Sequence, residues 1–95
     1  MNESTAPEEV VVVRGHNVRD HAGNAYGMLD IHPDPPDVAV LLGLRSATTG
    51  ELGQAVLRPG VSVDRLGLRL RCTAIDCTAP ERVTLLVEPV AGVSS

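Results

Sequence analysis

The stretch Leu68-Arg-Leu-Arg-Cys-Thr-Ala-Ile-Asp-Cys-Thr-Ala-Pro-Glu-Arg-Val-Thr-Leu-Leu-Val-Glu-Pro-Val90 decides the fold. Leu68, Leu70, Cys72 and Ala74 alternate with Arg69, Arg71, Thr73 and Ile75, the two-residue period of a strand with one face covered. A polar connection, Cys77 to Arg82, follows. Val83, Leu85 and Val87 then alternate with Thr84, Leu86 and Glu88. Folding the second run back with Arg71 opposite Glu88 also sets Cys72 against Val87 and Ala74 against Leu85, so one register serves both faces. The expectation is a long hairpin whose apolar face organises the rest of the chain.

Upstream, Val10, Val11, Val12 and Val13 form a β-branched run between Glu9 and Arg14-Gly15, which predicts a strand covered on both faces or lying at a dimer interface. His16 to Ala25 lacks a period and reads as a loop with one strand turn near Val18. Tyr26 to His32 reads as a strand, with Leu29 and Ile31 on one side and Met28, Asp30 and His32 on the other. Pro33-Asp-Pro-Pro-Asp37 ends it as a stiff surface loop, because its prolines lack amide donors and hold the backbone extended. Val38 to Arg45 is the next strand, with Val38, Val40, Leu42 and Leu44 inward. Thr49-Gly50 can serve as a two-residue hairpin loop, which would set Leu44 against Ala55, Leu42 against Leu57 and Arg45 against Gln54. Gly53 inside the returning strand predicts a bulge or bend. Arg58-Pro59-Gly60 suits a type II turn, Val61 to Val63 a short strand, and Asp64 to Gly67 a turn. No segment keeps helical spacing for the ten or so residues of an ordinary helix. The chain therefore reads as all-β: a small barrel or sandwich of six to seven short, mainly antiparallel strands. Residues 9–90 form one domain, and residues 1–8 and 91–95 are expected to be disordered tails.

Composition sets the limits. Ninety-five residues, 43% of them hydrophobic, with no Phe, no Trp and one Tyr, require a core of Val, Leu, Ala and Ile. All eight basic residues are Arg, and the net charge is −4. That balance argues against nucleic-acid binding and against adsorption to anionic membranes. The start, Met-Asn-Glu-Ser-Thr-Ala-Pro-Glu-Glu, has neither the basic end nor the apolar run of a signal peptide, and no run reaches the length of a membrane span, so a cytoplasmic protein is expected. Cys72 falls on the inward face and Cys77 in the connection beyond it, and both are expected as free thiols in a reducing compartment.

Chemistry concentrates in one region. All three histidines fall between His16 and His32, interleaved with Asp20, Asp30 and, just beyond, Asp34. Imidazole nitrogen and carboxylate oxygen are donors for zinc and similar divalent ions. Asp30 and His32 would project from one strand face about 7 Å apart at Cα, with His16, Asp20 and His21 in a loop above them. Set against this, His-x4-His is not a helical metal pair, and the same residues suit a solvated surface. Ser46, Ser62, Cys72 and Cys77 lie in no recognisable nucleophile motif. The glycines are at turn spacing and are not gathered as a phosphate loop. Arg58, Arg65, Arg69, Arg71 and Arg82 lie in the second half. Of these Arg69 and Arg71 share a face that could grip a carboxylate or phosphate, or simply meet water with Glu88 as partner to Arg71.

The segment Val56-Leu-Arg-Pro-Gly-Val-Ser-Val-Asp-Arg-Leu-Gly-Leu-Arg-Leu-Arg-Cys-Thr-Ala-Ile75, followed by Val83-Thr-Leu-Leu-Val87, resembles the closing half of short actinobacterial all-β proteins of no assigned activity. Lysine-free, Val/Ala/Gly/Pro-rich composition suits such a high-GC genome. The resemblance implies an all-β fold and no function. Two functional readings remain. The first is a non-catalytic cytoplasmic β-domain, without cofactor, that contacts a protein partner or itself as a homodimer. Its candidate surfaces are the edge at Val10, Val11, Val12 and Val13 and the loop at Asp34, Pro35, Pro36 and Asp37. The second is a divalent-metal-binding protein or metal-assisted enzyme using His16, His21 and His32 with Asp20 or Asp30.

Overall fold

Alternating aliphatic and polar residues, punctuated by turn-formers, can hide their apolar side chains and pair their backbone groups by forming two facing sheets. The computed structural model describes residues 7–90 and has this form. Its strands are β1 (Glu8–Val13), β2 (Asn17–Arg19), β3 (Ala25–His32), β4 (Ala39–Arg45), β5 (Leu52–Leu57), β6 (Ser62–Arg65), β7 (Leu68–Asp76) and β8 (Arg82–Pro89). One sheet is the meander β2-β3-β4-β5 and the other runs β1-β8-β7-β6, with every pairing antiparallel. No helix among the described residues is long and apolar enough to cross a membrane.

Hydrogen-bond ladders stop at two seams, between β1 and β2 and between β5 and β6, so the sheets make a sandwich and not a closed barrel. Side chains bridge both seams. At the first, the Glu8 carboxylate accepts the backbone N–H of His21 at 2.9 Å. At the second, Arg65 Nε donates to the Gln54 carbonyl at 2.9 Å. Leu66 also lies against Gly53 there, so that a Cβ on Gly53 would stand 3.3 Å from Leu66 Cγ and Cδ1.

The core lies between the sheets. Val10, Val12, Leu70, Cys72, Val83, Leu85 and Val87 from one meet Tyr26, Val40, Leu42, Leu44, Ala55 and Leu57 from the other. The inward positions alternate along β1, β4, β5 and β8, as the two-residue period requires. Leu70 and Leu85 share this interior, so the hairpin reading of Leu68 to Val90 holds.

Several local expectations need correction. In the long hairpin Arg69, not Arg71, stands opposite Glu88; Leu70 faces Val87 and Cys72 faces Leu85. The pairing is displaced by two residues, which keeps the same faces together. Between Cys72 and Ala74 the register shifts by one, so Ala74 is exposed and Ile75 turns inward. The turn at Thr49-Gly50 is wider than a two-residue loop. Ser46 N–H bonds to the Glu51 carbonyl and Gly50 N–H to the Ser46 carbonyl, both at 2.9 Å. The Ser46 hydroxyl takes the N–H groups of Thr48 and Thr49 at 3.2 Å. Consequently Leu44 faces Gly53, Leu42 faces Ala55 and Arg45 faces Leu52. Gly53 causes no register shift; it makes room for Leu66 instead.

A bulge between Met28 and Asp30 separates Leu29, which is exposed, from Ile31, which packs on the core. The His16–Ala25 segment includes a short strand, β2, and Asp64 and Arg65 belong to β6, leaving Leu66-Gly67 as the turn. In the chain alone Val10 and Val12 are buried while Val11 faces outward, so β1 is covered on one face. Of the expected tails, Pro7 and Glu8 are described, Glu8 opening that strand, and residues 1–6 and 91–95 lie outside the described residues. Arg58-Pro59-Gly60 forms its turn as expected: Val61 N–H bonds to the Arg58 carbonyl at 3.0 Å, with Gly60 at φ +83°, the left-handed region open to glycine.

Candidate functional site

The expected metal-ligating residues are not brought together. Asp20 and His21 lie beyond the Arg19–Ala25 pair that ends the β2–β3 ladder, whereas Asp30 and His32 sit at the far end of β3. Five residues of extended chain separate Ala25 from Asp30, roughly 16 Å. His16, His21 and His32 are exposed. The Asp30 carboxylate accepts the N–H of Ile31 at 2.8 Å. Among the described residues no three His, Cys, Asp or Glu side chains form a metal-holding group.

Asp20 has a different task. The sole tyrosine, Tyr26, is 1% exposed, so its hydroxyl needs a partner inside the protein. It donates to Asp20 Oδ2 at 2.6 Å. Asn24 donates its side-chain amide to the same oxygen and its backbone N–H to Oδ1, both at 2.9 Å. The Asn24 carbonyl oxygen of the side chain in turn accepts the N–H of Ala47 at 2.8 Å. This network ties the β2–β3 turn to the β4–β5 turn. Burial alone would push the Asp20 carboxyl up, but the bonds from Tyr26 and Asn24 outweigh it and hold the group below its usual range. Burial and the adjoining carboxylate push the Tyr26 phenol well above its ordinary value.

The two outer sheet faces differ in charge. On the β1-β8-β7-β6 face, Arg69 lies between Asp64 and Glu88 on neighbouring strands and grips the Asp64 carboxylate through Nε at 3.0 Å and Nη2 at 3.3 Å. That contact lowers the Asp64 carboxyl. Arg71 faces Ser62 on one side and Leu86 on the other. The anion grip foreseen at Arg69 and Arg71 is therefore half filled by the protein's own carboxylate.

The β2-β3-β4-β5 face carries three rows across the strands. Arg19, Ala25, Arg45 and Leu52 stand abreast; beside them run Asn17, Gly27, Gly43 and Gln54. Beyond these lie Leu29, Leu41 and Val56, where Asp30 opposes Leu41 and the bulge adds Leu29 to the outer face. With glycine at both central positions of the middle row, the face is hollowed. Leu29 bends over Gly43, where a Cβ would come within 3.1 Å of it, and Asn17 Oδ1 reaches over Gly27. What remains is an open recess of about 650 Å³. Its lining includes two arginines and, among the described residues, no acidic residue. Among the described residues neither Arg19 nor Arg45 makes an ion pair. Leu52 is 77% exposed, Leu29 53% and Val56 48%, a concentration of apolar surface on one face.

Nothing in the one-dimensional pattern identified this recess, because Arg19 and Arg45 become neighbours only through the registers of two ladders. The interaction candidates from the sequence lie elsewhere: Val10–Val13 on β1, and Asp34, Pro35, Pro36 and Asp37 in the exposed β3–β4 loop, where Asp37 N–H closes onto the Asp34 carbonyl at 3.1 Å. Both cysteines are free thiols, Cys72 buried and Cys77 half-buried; burial pushes the Cys72 thiol up. No family model matches the chain, and no curated protein or solved structure matches it significantly.

Proposed function

We propose that the protein is a non-catalytic binding module that docks a protein partner on the outer face of β2-β3-β4-β5. The observation that carries this reading is the exposure of Leu29 and Leu52 in one recess that also holds Arg19 and Arg45, with Val56 exposed on the same face. A sheet face bathed in water favours polar residues; the other outer face carries Asp64, Arg69 and Glu88 with Val11 exposed at 39%, whereas this one exposes three large aliphatic side chains. Apolar side chains rimmed by arginine and carboxamide groups are the makeup of an interface core with a polar rim. A site-specific photocrosslinker tests it. Placed at position 52 in cells of the natural host, it should yield a discrete adduct, while the same group at Thr73 on the opposite sheet yields none. Equal labelling from both positions, or none from position 52, would count against the reading.

A further inference from the structure

The recess has a shape and a charge that specify more than a generic partner, and the identity of its occupant rests on the docking reading given above. Its middle row, Asn17-Gly27-Gly43-Gln54, crosses four strands, a path of about 14 Å at 4.8 Å per strand spacing, the length of about four extended residues. Asn17 Oδ1 lies over Gly27 and Leu29 lies over Gly43, so the floor of the path is a carboxamide and an aliphatic side chain laid flat on the sheet. The carboxamides of Asn17 and Gln54 stand at the two ends of that path, each able to donate to and accept from a peptide group. Along one side run Arg19 and Arg45, on the strands flanking Ala25 and so about 10 Å apart at Cα. Along the other side Leu29 lines the recess, and the row Asp30, Leu41 and Val56 lies just outside it.

We infer that the recess takes an extended segment of a partner protein in which acidic and aliphatic residues alternate. Successive side chains of such a segment project to opposite sides. Its carboxylates then face Arg19 and Arg45 while its aliphatic groups meet Leu29. Charge supports this occupant. A chain of net charge −4 presents here a lining with two arginines and, among the described residues, no acid; Asp30 on the adjoining row accepts the Ile31 N–H, and Arg69 on the other face is already satisfied by Asp64. Guanidinium groups left without a carboxylate are suited to accept one from outside, often in bidentate form.

The experiment uses fluorescein-labelled Glu-Val-Glu-Val amide, followed by fluorescence anisotropy with the full chain at low salt. Binding should weaken by about tenfold or more with Gln-Val-Gln-Val, with Arg45→Gln, and with Arg19→Gln, each removing a charged contact. Glu-Ser-Glu-Ser should also bind more weakly, and Arg71→Gln on the opposite sheet should change nothing. Raising the salt should lower the affinity for the acidic peptide. Equal binding of the Glu and Gln peptides, or no binding of either at millimolar concentration, overturns the inference. Light scattering that finds a dimer broken by Leu52→Glu also overturns it, because a second copy then occupies the face. The two readings fail separately: an adduct from position 52 that persists in the Arg19→Gln/Arg45→Gln variant leaves the docking face standing and removes the acidic segment.

Discussion

Replacing Tyr26 by Phe isolates one interaction. The ring stays in the core and only the hydroxyl is lost, together with its 2.6 Å bond to Asp20 Oδ2. Asp20 keeps both bonds from Asn24, so the carboxylate is weakened and not abandoned. A hydrogen bond to a charged group contributes about 1.5–3 kcal/mol, and a value near 2 kcal/mol is expected here. For a domain of this size each kcal/mol moves the melting temperature by about 4–8 °C, so the midpoint should fall by about 12 °C at pH 7. Circular dichroism is the assay, because the substitution removes the only tyrosine and the chain has no tryptophan. The pH dependence supplies a second check. The folded-state pKa of Asp20 lies below its unfolded value, so its contribution is present above the unfolded value and is lost as pH falls through the folded one. The gap between parent and Tyr26→Phe should therefore narrow on acidification. For Tyr26 the sign is opposite: its raised folded value gives stability that is complete below the unfolded pKa of about 10 and declines as pH rises beyond it. A destabilisation under about 0.5 kcal/mol, the size of an ordinary surface change, or a gap that stays constant into acid, would refute the role given to this bond.

The packing leads to three further expected outcomes. Gly53→Ala should destabilise by about 1 kcal/mol, because its methyl group meets Leu66. In a Leu66→Gly background, which removes the side chain in contact and also eases the residue's φ of +51°, the same change should cost nothing, a coupling of about 1 kcal/mol in a double-mutant cycle by urea unfolding. Cys77 should react promptly with a disulfide reagent at pH 8, whereas Cys72, buried with its thiol pushed up, should react only as fast as the protein opens; two equally fast thiols would contradict the core placement. Leu52→Ser should leave stability within about 0.5 kcal/mol, since the side chain is 77% exposed, yet abolish crosslinking from the neighbouring position 54.

The sequence shows which faces go together more clearly than which residues meet. Alternation in Leu68–Cys72 and Val83–Val87 fixes the inward set, and a displacement of two residues leaves that set intact, so apolar pattern cannot distinguish Arg69–Glu88 from Arg71–Glu88. Turn geometry chooses between them, and the Ser46 hydroxyl that widens the β4–β5 loop has no signature as plain as Asn-Gly. The bulges at Leu29 and Thr73 invert the alternation partway along β3 and β7, and a periodicity has no means of announcing its own phase change. The role of Asp20 does have a signal in the chain: a lone aromatic hydroxyl heading inward requires an acceptor, and Asp20 lies six residues upstream across a Gly23-Asn24 turn. The recess has none, for Gly27 and Gly43 oppose each other only once β3 and β4 are aligned.

The pairing of β1 with β8 bears on the order in which the molecule comes together during synthesis. The meander β2-β3-β4-β5 closes through short loops, so its contacts are local and can form early. The backbone groups of Val10 and Val12 cannot pair until Arg82–Pro89 has left the ribosome, because their ladder partners lie there. Throughout that interval the nascent protein carries an unpaired strand edge, a surface for ribosome-associated chaperones to shield.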